Sequence, residues 1–211
     1  RMRHHGGWLL LIAALTGISV AAAWMAANAS AALYTFLGAF CYAVVYTVWL
    51  KRRTAWNIVI GGLAGSFAVL AGASAVQPSL STEALLLALI LFLWTPPHFW
   101  SLSIAFRDDY AQAGVPMLPV VKGDRLAAQA ILGHAVVLVA LSLVLAMLSP
   151  GWLYAACAAL GGGLMIRHAA RLALQPDRRN AMASFHASLV QLSLLLLGII
   201  ADAWLRNALA G

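Results

Sequence analysis

The sequence predicts an all-α fold, a polytopic transmembrane helical bundle. Three observations carry that reading. The 211 residues are 64% hydrophobic and only 9% charged, far from the balance of a water-soluble domain. The apolar residues fall in runs close to the roughly 20 needed to cross a bilayer, without the alternation of barrel strands. The cations collect at alternate ends of those runs.

The predicted spans lie near 8–27, 31–50, 57–76, 83–105, 128–148, 152–171 and 185–206. The first is too long, and too closely followed by another, to be a cleaved leader. The connections at Asn28–Ser30 and Ser149–Gly151 are so short that the helices they join are antiparallel neighbours. Thr54 is placed to cap the third span. Pro96 and Pro97 remove two backbone donors from the fourth, which strips the carbonyls of Phe92 and Leu93 of partners and predicts a bend. Cys41 and Cys157 sit in apolar segments without metal or redox spacing, so packing is their role. With no repeat, no linker and no room for a soluble module, residues 1–211 read as one domain.

The formal charge is +7, yet its distribution excludes nucleic acid as the partner. Of thirteen cations, only Arg206 falls on the second side of the bundle. Arg1, Arg3, Lys51, Arg52, Arg53, Arg107, Lys122, Arg125, Arg167, Arg171, Arg178 and Arg179 share the first. By the positive-inside rule the N-terminus is cytoplasmic and the C-terminus outside. Taken singly, most of these cations read as topology signals and headgroup contacts with the lipid bilayer.

The same face carries the chemistry. Asp108, Asp109, Asp124 and Asp177 join the cations there, and the longer connections at 106–127 and 172–184 also fall on it. The span middles hold no charge, unlike the polar path of a channel or transporter. Asp108 and Asp109 are adjacent oxygen donors of the kind that suits Mg²⁺ shared with phosphate. Lys51, Arg52, Arg53, Lys122 and Arg125 are cations suited to neutralising a diphosphate. The alternative is that both aspartates simply pair with Arg107 and the basic loops.

His98, between Trp94, Phe99 and Trp100, lies two to three turns inside the membrane from Asp108. It is compatible with iron ligation, with acid–base work, or with a satisfied interhelical hydrogen bond. Asn57 reads as a ligand-facing amide or a helix–helix hydrogen bond. Gly61, Gly62, Gly65 and Gly72 suit close helix approach, or else a groove for an isoprenoid chain. His134 and His168 have little context, and His186 is a weaker site candidate.

At these residues the chain resembles the haem O synthase branch of the UbiA-type intramembrane prenyltransferases. The resemblance rests on the run Trp94–Val121, above all Pro97-His-Phe-Trp and Asp108-Asp-Tyr-Ala-Gln-Ala-Gly-Val-Pro-Met-Leu-Pro119. It rests also on Leu50-Lys-Arg-Arg-Thr-Ala-Trp-Asn-Ile-Val-Ile-Gly-Gly62, and more weakly on Ala181-Met-Ala-Ser-Phe185 with Asp202. It implies nine spanning helices around a central cavity, with transfer of farnesyl from farnesyl diphosphate to a vinyl group of haem B, with addition of water, giving haem O.

The resemblance also implies Mg²⁺ at Asp108 and Asp109. It places Lys51, Arg52 and Arg53 near the diphosphate or the haem propionates, His98 facing haem, Asn57 lining the cavity, and Tyr110 among the substrate-binding residues. Haem is then substrate rather than redox cofactor, and haem A synthase or terminal-oxidase assembly partners are implied. The family's first acidic motif and its two preceding helices have no counterpart here. That predicts an N-terminally truncated member, or a degenerate homologue, with little or no transferase activity alone. The competing expectations are a prenyltransferase for a quinone precursor or chlorophyll, and a non-catalytic haem-handling membrane protein.

Overall fold

The computed structural model describes residues 5–148 and 151–210, the side chains of residues 5, 6 and 210 aside. Arg1 and Arg3 of the predicted charge pattern, and Ser149 of the short connection, lie outside the described residues. The described chain is an up-and-down array of helices: α1 (His5–Ala26), α2 (Ala29–Phe40) continued by a π-helical stretch (Cys41–Leu50), α3 (Asn57–Gly61), α4 (Leu63–Val76), α5 (Thr82–Ala105), α6 (Arg107–Gln112), α7 (Leu118–Lys122), α8 (Asp124–Leu148), α9 (Trp152–Leu174) and α10 (Arg178–Ala210). Neighbours in sequence pack as neighbours in space, and α10 returns to pack on α5 as well as α9.

Among the described residues six helices are long and apolar enough to cross a membrane: Gly7–Ala26, Ala29–Leu50, Asn57–Val76, Thr82–Ala105, Asp124–Leu148 and Arg178–Leu209. The span expected at 152–171 is present as the 23-residue α9 but is not one of the six. Three successive glycines, Gly161–Gly163, and the polar end with Arg167, His168 and Arg171 dilute its hydropathy. It nevertheless packs along both α8 and α10.

Polar side chains fix the ends. Asn28 caps α2 by accepting from Ala31 N–H at 2.9 Å, and its own amide donates to the Ser74 carbonyl at 2.6 Å, tying the start of α2 to the end of α4. Ser81 caps α5 through Ala84 N–H at 3.2 Å. Thr54 does not cap a helix: its hydroxyl accepts from Trp56 N–H at 3.2 Å, tightening the turn before α3, whose cap position is Trp56. A threonine two residues too early can reach only the turn.

α5 runs as one helix through Pro96 and Pro97. Against it lies Gly62, the joint between α3 and α4. A Cβ there would stand 3.3 Å from the Phe92 carbonyl, one of the two that proline leaves without a helical partner, and 3.2 Å from Thr95 Cβ. Glycine is therefore a packing requirement at this crossing. Gly61 and Gly65 meet Tyr46 and Leu91 in the same way, whereas Gly72 faces open space.

Candidate active site

Chemistry-bearing residues gather where α5 ends. Phe106 breaks from helical geometry at φ −121°, ψ 37°, and the chain restarts as α6 with Asp108 and Asp109 in its first turn. The expected connection at 106–127 is thus largely ordered as α6 and α7, joined by a turn at Gly114, which takes φ 65°. Val115, Met117 and Leu118 are buried in the core and pin the segment to the bundle.

Asp108 and Asp109 are exposed. Arg107, the partner that a purely structural role would give them, turns instead to Asp124, Nη1 to Oδ2, at 3.5 Å. That is the one ion pair among the described residues. It is solvent-screened and contributes little to stability. Among the described residues the two adjacent carboxylates are left without an ion-pair partner.

Cations converge from other elements. The Lys51–Arg53 turn follows the π-helical stretch. Arg52 lines a cavity of about 240 Å³ with Ala111, Gly114, Val115, Pro116 and Val120, which places it against the α6–α7 turn. Lys51 Nζ stands 5.9 Å from the centre of the Tyr46 ring. Lys122 and Arg125 flank the joint between α7 and α8 and are exposed. Tyr110 is half-buried on the core, and burial pushes its phenol up from the ordinary value, keeping it a neutral donor.

Sequence reasoning counted Arg178 only as a topology signal. Its guanidinium lies 5.3 Å over the Phe106 ring, so α10 also reaches this corner. The two residues are 72 positions apart in the chain, and no local pattern could have marked the pairing.

His98 lies deeper and is buried. Its Nδ1 is 2.8 Å from Ser188 Oγ of α10, the interhelical hydrogen bond that was one of its candidate roles. The ring stacks between Trp94 at 4.2 Å and Phe185 at 4.5 Å, with Phe99 edge-on at 5.1 Å. Below it, Ser101 donates to the Pro97 carbonyl at 2.7 Å and lies 3.0 Å from Ser184 Oγ. Ser184 and Ser188 were not singled out from the sequence; their spacing of four on α10 was the available signal.

Asn57 is fully buried and its amide donates to the Lys51 carbonyl at 3.3 Å. It therefore braces the basic turn from behind rather than facing open space. His134 bonds the Ala130 carbonyl within its own helix at 2.9 Å. His186 is exposed and edge-on to Phe185. Cys41 is buried, with Sγ 3.7 Å from the Ile60 carbonyl, consistent with packing.

Among the described residues no three His, Cys, Asp or Glu side chains converge as a closed metal cage. Two adjacent, uncommitted carboxylates do fit the partial shell of Mg²⁺, which keeps waters and is completed by substrate phosphates.

Fold and site together define a multi-pass helical membrane protein with acidic and basic groups assembled at one end of the bundle. The chain belongs to the UbiA prenyltransferase family, whose profile matches residues 4–195. It is 57% identical over 195 residues to "Protoheme IX farnesyltransferase 2" of Paramagnetospirillum magneticum, covering 92% of this chain and 68% of that protein. It is 48% identical to "Protoheme IX farnesyltransferase 1" of the same organism, with the same coverage. It is 45% identical to "Protoheme IX farnesyltransferase" of Alkalilimnicola ehrlichii, over 89% of this chain and 62% of the relative. No solved structure matches.

Proposed function

We propose that this protein transfers the farnesyl group of farnesyl diphosphate to a vinyl group of haem B, with one water adding to the cation so formed, giving haem O and releasing diphosphate. The observation that carries the proposal is the uncommitted Asp108–Asp109 pair beside a basic turn, in a family member whose relatives are named for this reaction. Asp108 and Asp109 would hold Mg²⁺ against the diphosphate, and Mg²⁺ would supply charge stabilisation for its departure. Arg52 and its neighbours Lys51 and Arg53 would take up phosphate charge from the opposite side, with Lys122, Arg125 and Tyr110 at the rim. Asn57 holds the basic turn in place. The apolar bundle beneath would receive the prenyl chain and keep bulk water from the allylic cation. His98, one wall of that interior, faces the haem acceptor. The charged face is cytoplasmic, with the protein in the plasma membrane.

The test is haem O formation in the full gene product, read by chromatography of extracted haems. Asp108→Asn with Asp109→Asn lowers turnover by about 10²-fold or more while haem binding persists, because electrostatic stabilisation of the leaving group is lost. His98→Ala damages haem binding, alone or together with turnover. Unchanged turnover in the double aspartate variant, at equal expression, would refute the proposal. A prenylated phenol in place of haem O would redirect it to a different acceptor.

A further inference from the structure

The contacts of Ser188 reach beyond packing. We infer that Ser188 is a positioning residue that holds the His98 ring as the Nδ1–H tautomer, leaving Nε2 as its only basic nitrogen. Within the proposed function, which this inference deepens, Nε2 is then the atom that His98 offers to the haem acceptor or to a proton.

The hydrogens available decide the tautomer. Ser188 Oγ is 2.7 Å from the Phe185 carbonyl and 2.8 Å from His98 Nδ1. A hydroxyl has one proton, and a carbonyl can only accept. An oxygen–oxygen separation of 2.7 Å requires that proton, so Ser188 donates to Phe185. Its lone pair then faces Nδ1, and the second contact is a hydrogen bond only if Nδ1 brings the hydrogen. A neutral imidazole carries one N–H, so Nε2 keeps the lone pair.

Two further features lock this choice. The Trp94 indole N–H donates to the Ser188 backbone carbonyl at 2.8 Å, which fixes the height of α10 against α5. Trp94 and Phe185 clamp the two faces of the imidazole, at interplanar angles of 18° and 27°, and Phe99 stands edge-on at 86°. A ring so held cannot turn over to exchange its nitrogens without parting the two helices. Ser188 and His98 are thus to one another what a base and its orienting group are in other sites, where the partner of one nitrogen sets the chemistry of the other.

The test is ¹⁵N NMR of the histidine-labelled full gene product, with the His98 signals assigned by their loss in His98→Gln. The expected spectrum shows a protonated Nδ1 and a bare Nε2. Ser188→Ala should release the ring to a mixture of tautomers or to Nε2–H. Ser188→Thr, which keeps an oxygen at the same place, should retain the wild-type spectrum. Turnover should fall by about 10²-fold in the alanine variant and be largely restored in the threonine variant. A wild-type spectrum with Nε2 protonated, or one unchanged by Ser188→Ala, overturns the inference. Normal turnover in His98→Ala alongside the expected spectra would instead defeat the functional role of His98 and leave the tautomer assignment standing.

Discussion

Asp202 shows how a single side chain can close a helix end from far away in sequence. It is buried, and its carboxylate accepts from Leu153 N–H at 3.3 Å and Tyr154 N–H at 2.7 Å, at the start of α9. An anion at a helix N-terminus satisfies orphan donors and complements the helix dipole. The capping position itself is Gly151, where a Cβ would land on that carboxylate. Asp202→Ala should therefore cost about 1.5–3 kcal/mol, the range for a hydrogen bond to a charged group. Gly151→Ala should be comparably harmful alone. In the Asp202→Ala background its clash is relieved, so the double variant should be distinctly less than additive, as read from thermal unfolding in detergent. Additive losses would mean that the two residues act separately. From sequence, Asp202 was visible only as part of a weak family match, because its partners lie 48 and 49 positions away. His98 was visible as chemistry but not as geometry, for the same reason: Ser188 is 90 residues distant.

Elements were legible where composition decides and illegible where contacts do. Hydropathy located each spanning helix. It stopped short at the polar ends, where α8 starts at Asp124 rather than near 128, and α10 starts at Arg178 rather than near 185. At α10 the reason is a cap: Asp177 accepts from Asn180 N–H at 2.8 Å, so the helix begins in the interfacial region among charged residues. The π-helical winding of Cys41–Leu50 left no mark in the apolar pattern. The segment that carries Asp108 and Asp109 reads from sequence as a site on a long connection, and its two short helices leave no mark in the pattern. Its order comes from a short apolar run, Val115, Met117 and Leu118, that docks beneath the exposed carboxylates. Met117, at 2% exposure, is the centre of that anchor. Met117→Ala should cost about 2–5 kcal/mol through the cavity it leaves. It should also increase proteolytic cleavage at 111–114, the exposed turn, while the rest of the bundle stays protected. Wild-type cleavage kinetics in that variant would show that α6 and α7 are held by something else.

At the scale of the whole molecule, the end with the acidic pair is also the end with the cations. Lys51–Arg53, Arg107, Lys122 and Arg125 cluster with Asp108 and Asp109 where α5 ends, and the α9–α10 hairpin adds a cavity of about 500 Å³ lined by His168, Arg171, Arg179 and Asn180. The opposite end carries Gln77–Ser81, Glu83 and a single cation, Arg206. Such an asymmetry is what the positive-inside rule reads, and it also serves chemistry, since a diphosphate is drawn to the end where cations outnumber acids. The proposed cytoplasmic placement of this face is supported on both counts. The protein has two cysteines, so a background with Cys41→Ala and Cys157→Ala leaves none. Single cysteines at Gln112 and Ser79 then report the two ends, because both native residues are exposed. In intact cells a membrane-impermeant maleimide should label Ser79→Cys readily. Gln112→Cys should react only after the membrane is opened. The reverse pattern would put Asp108 and Asp109 outside and separate them from cytoplasmic substrate, which would refute the orientation while leaving the helical order intact.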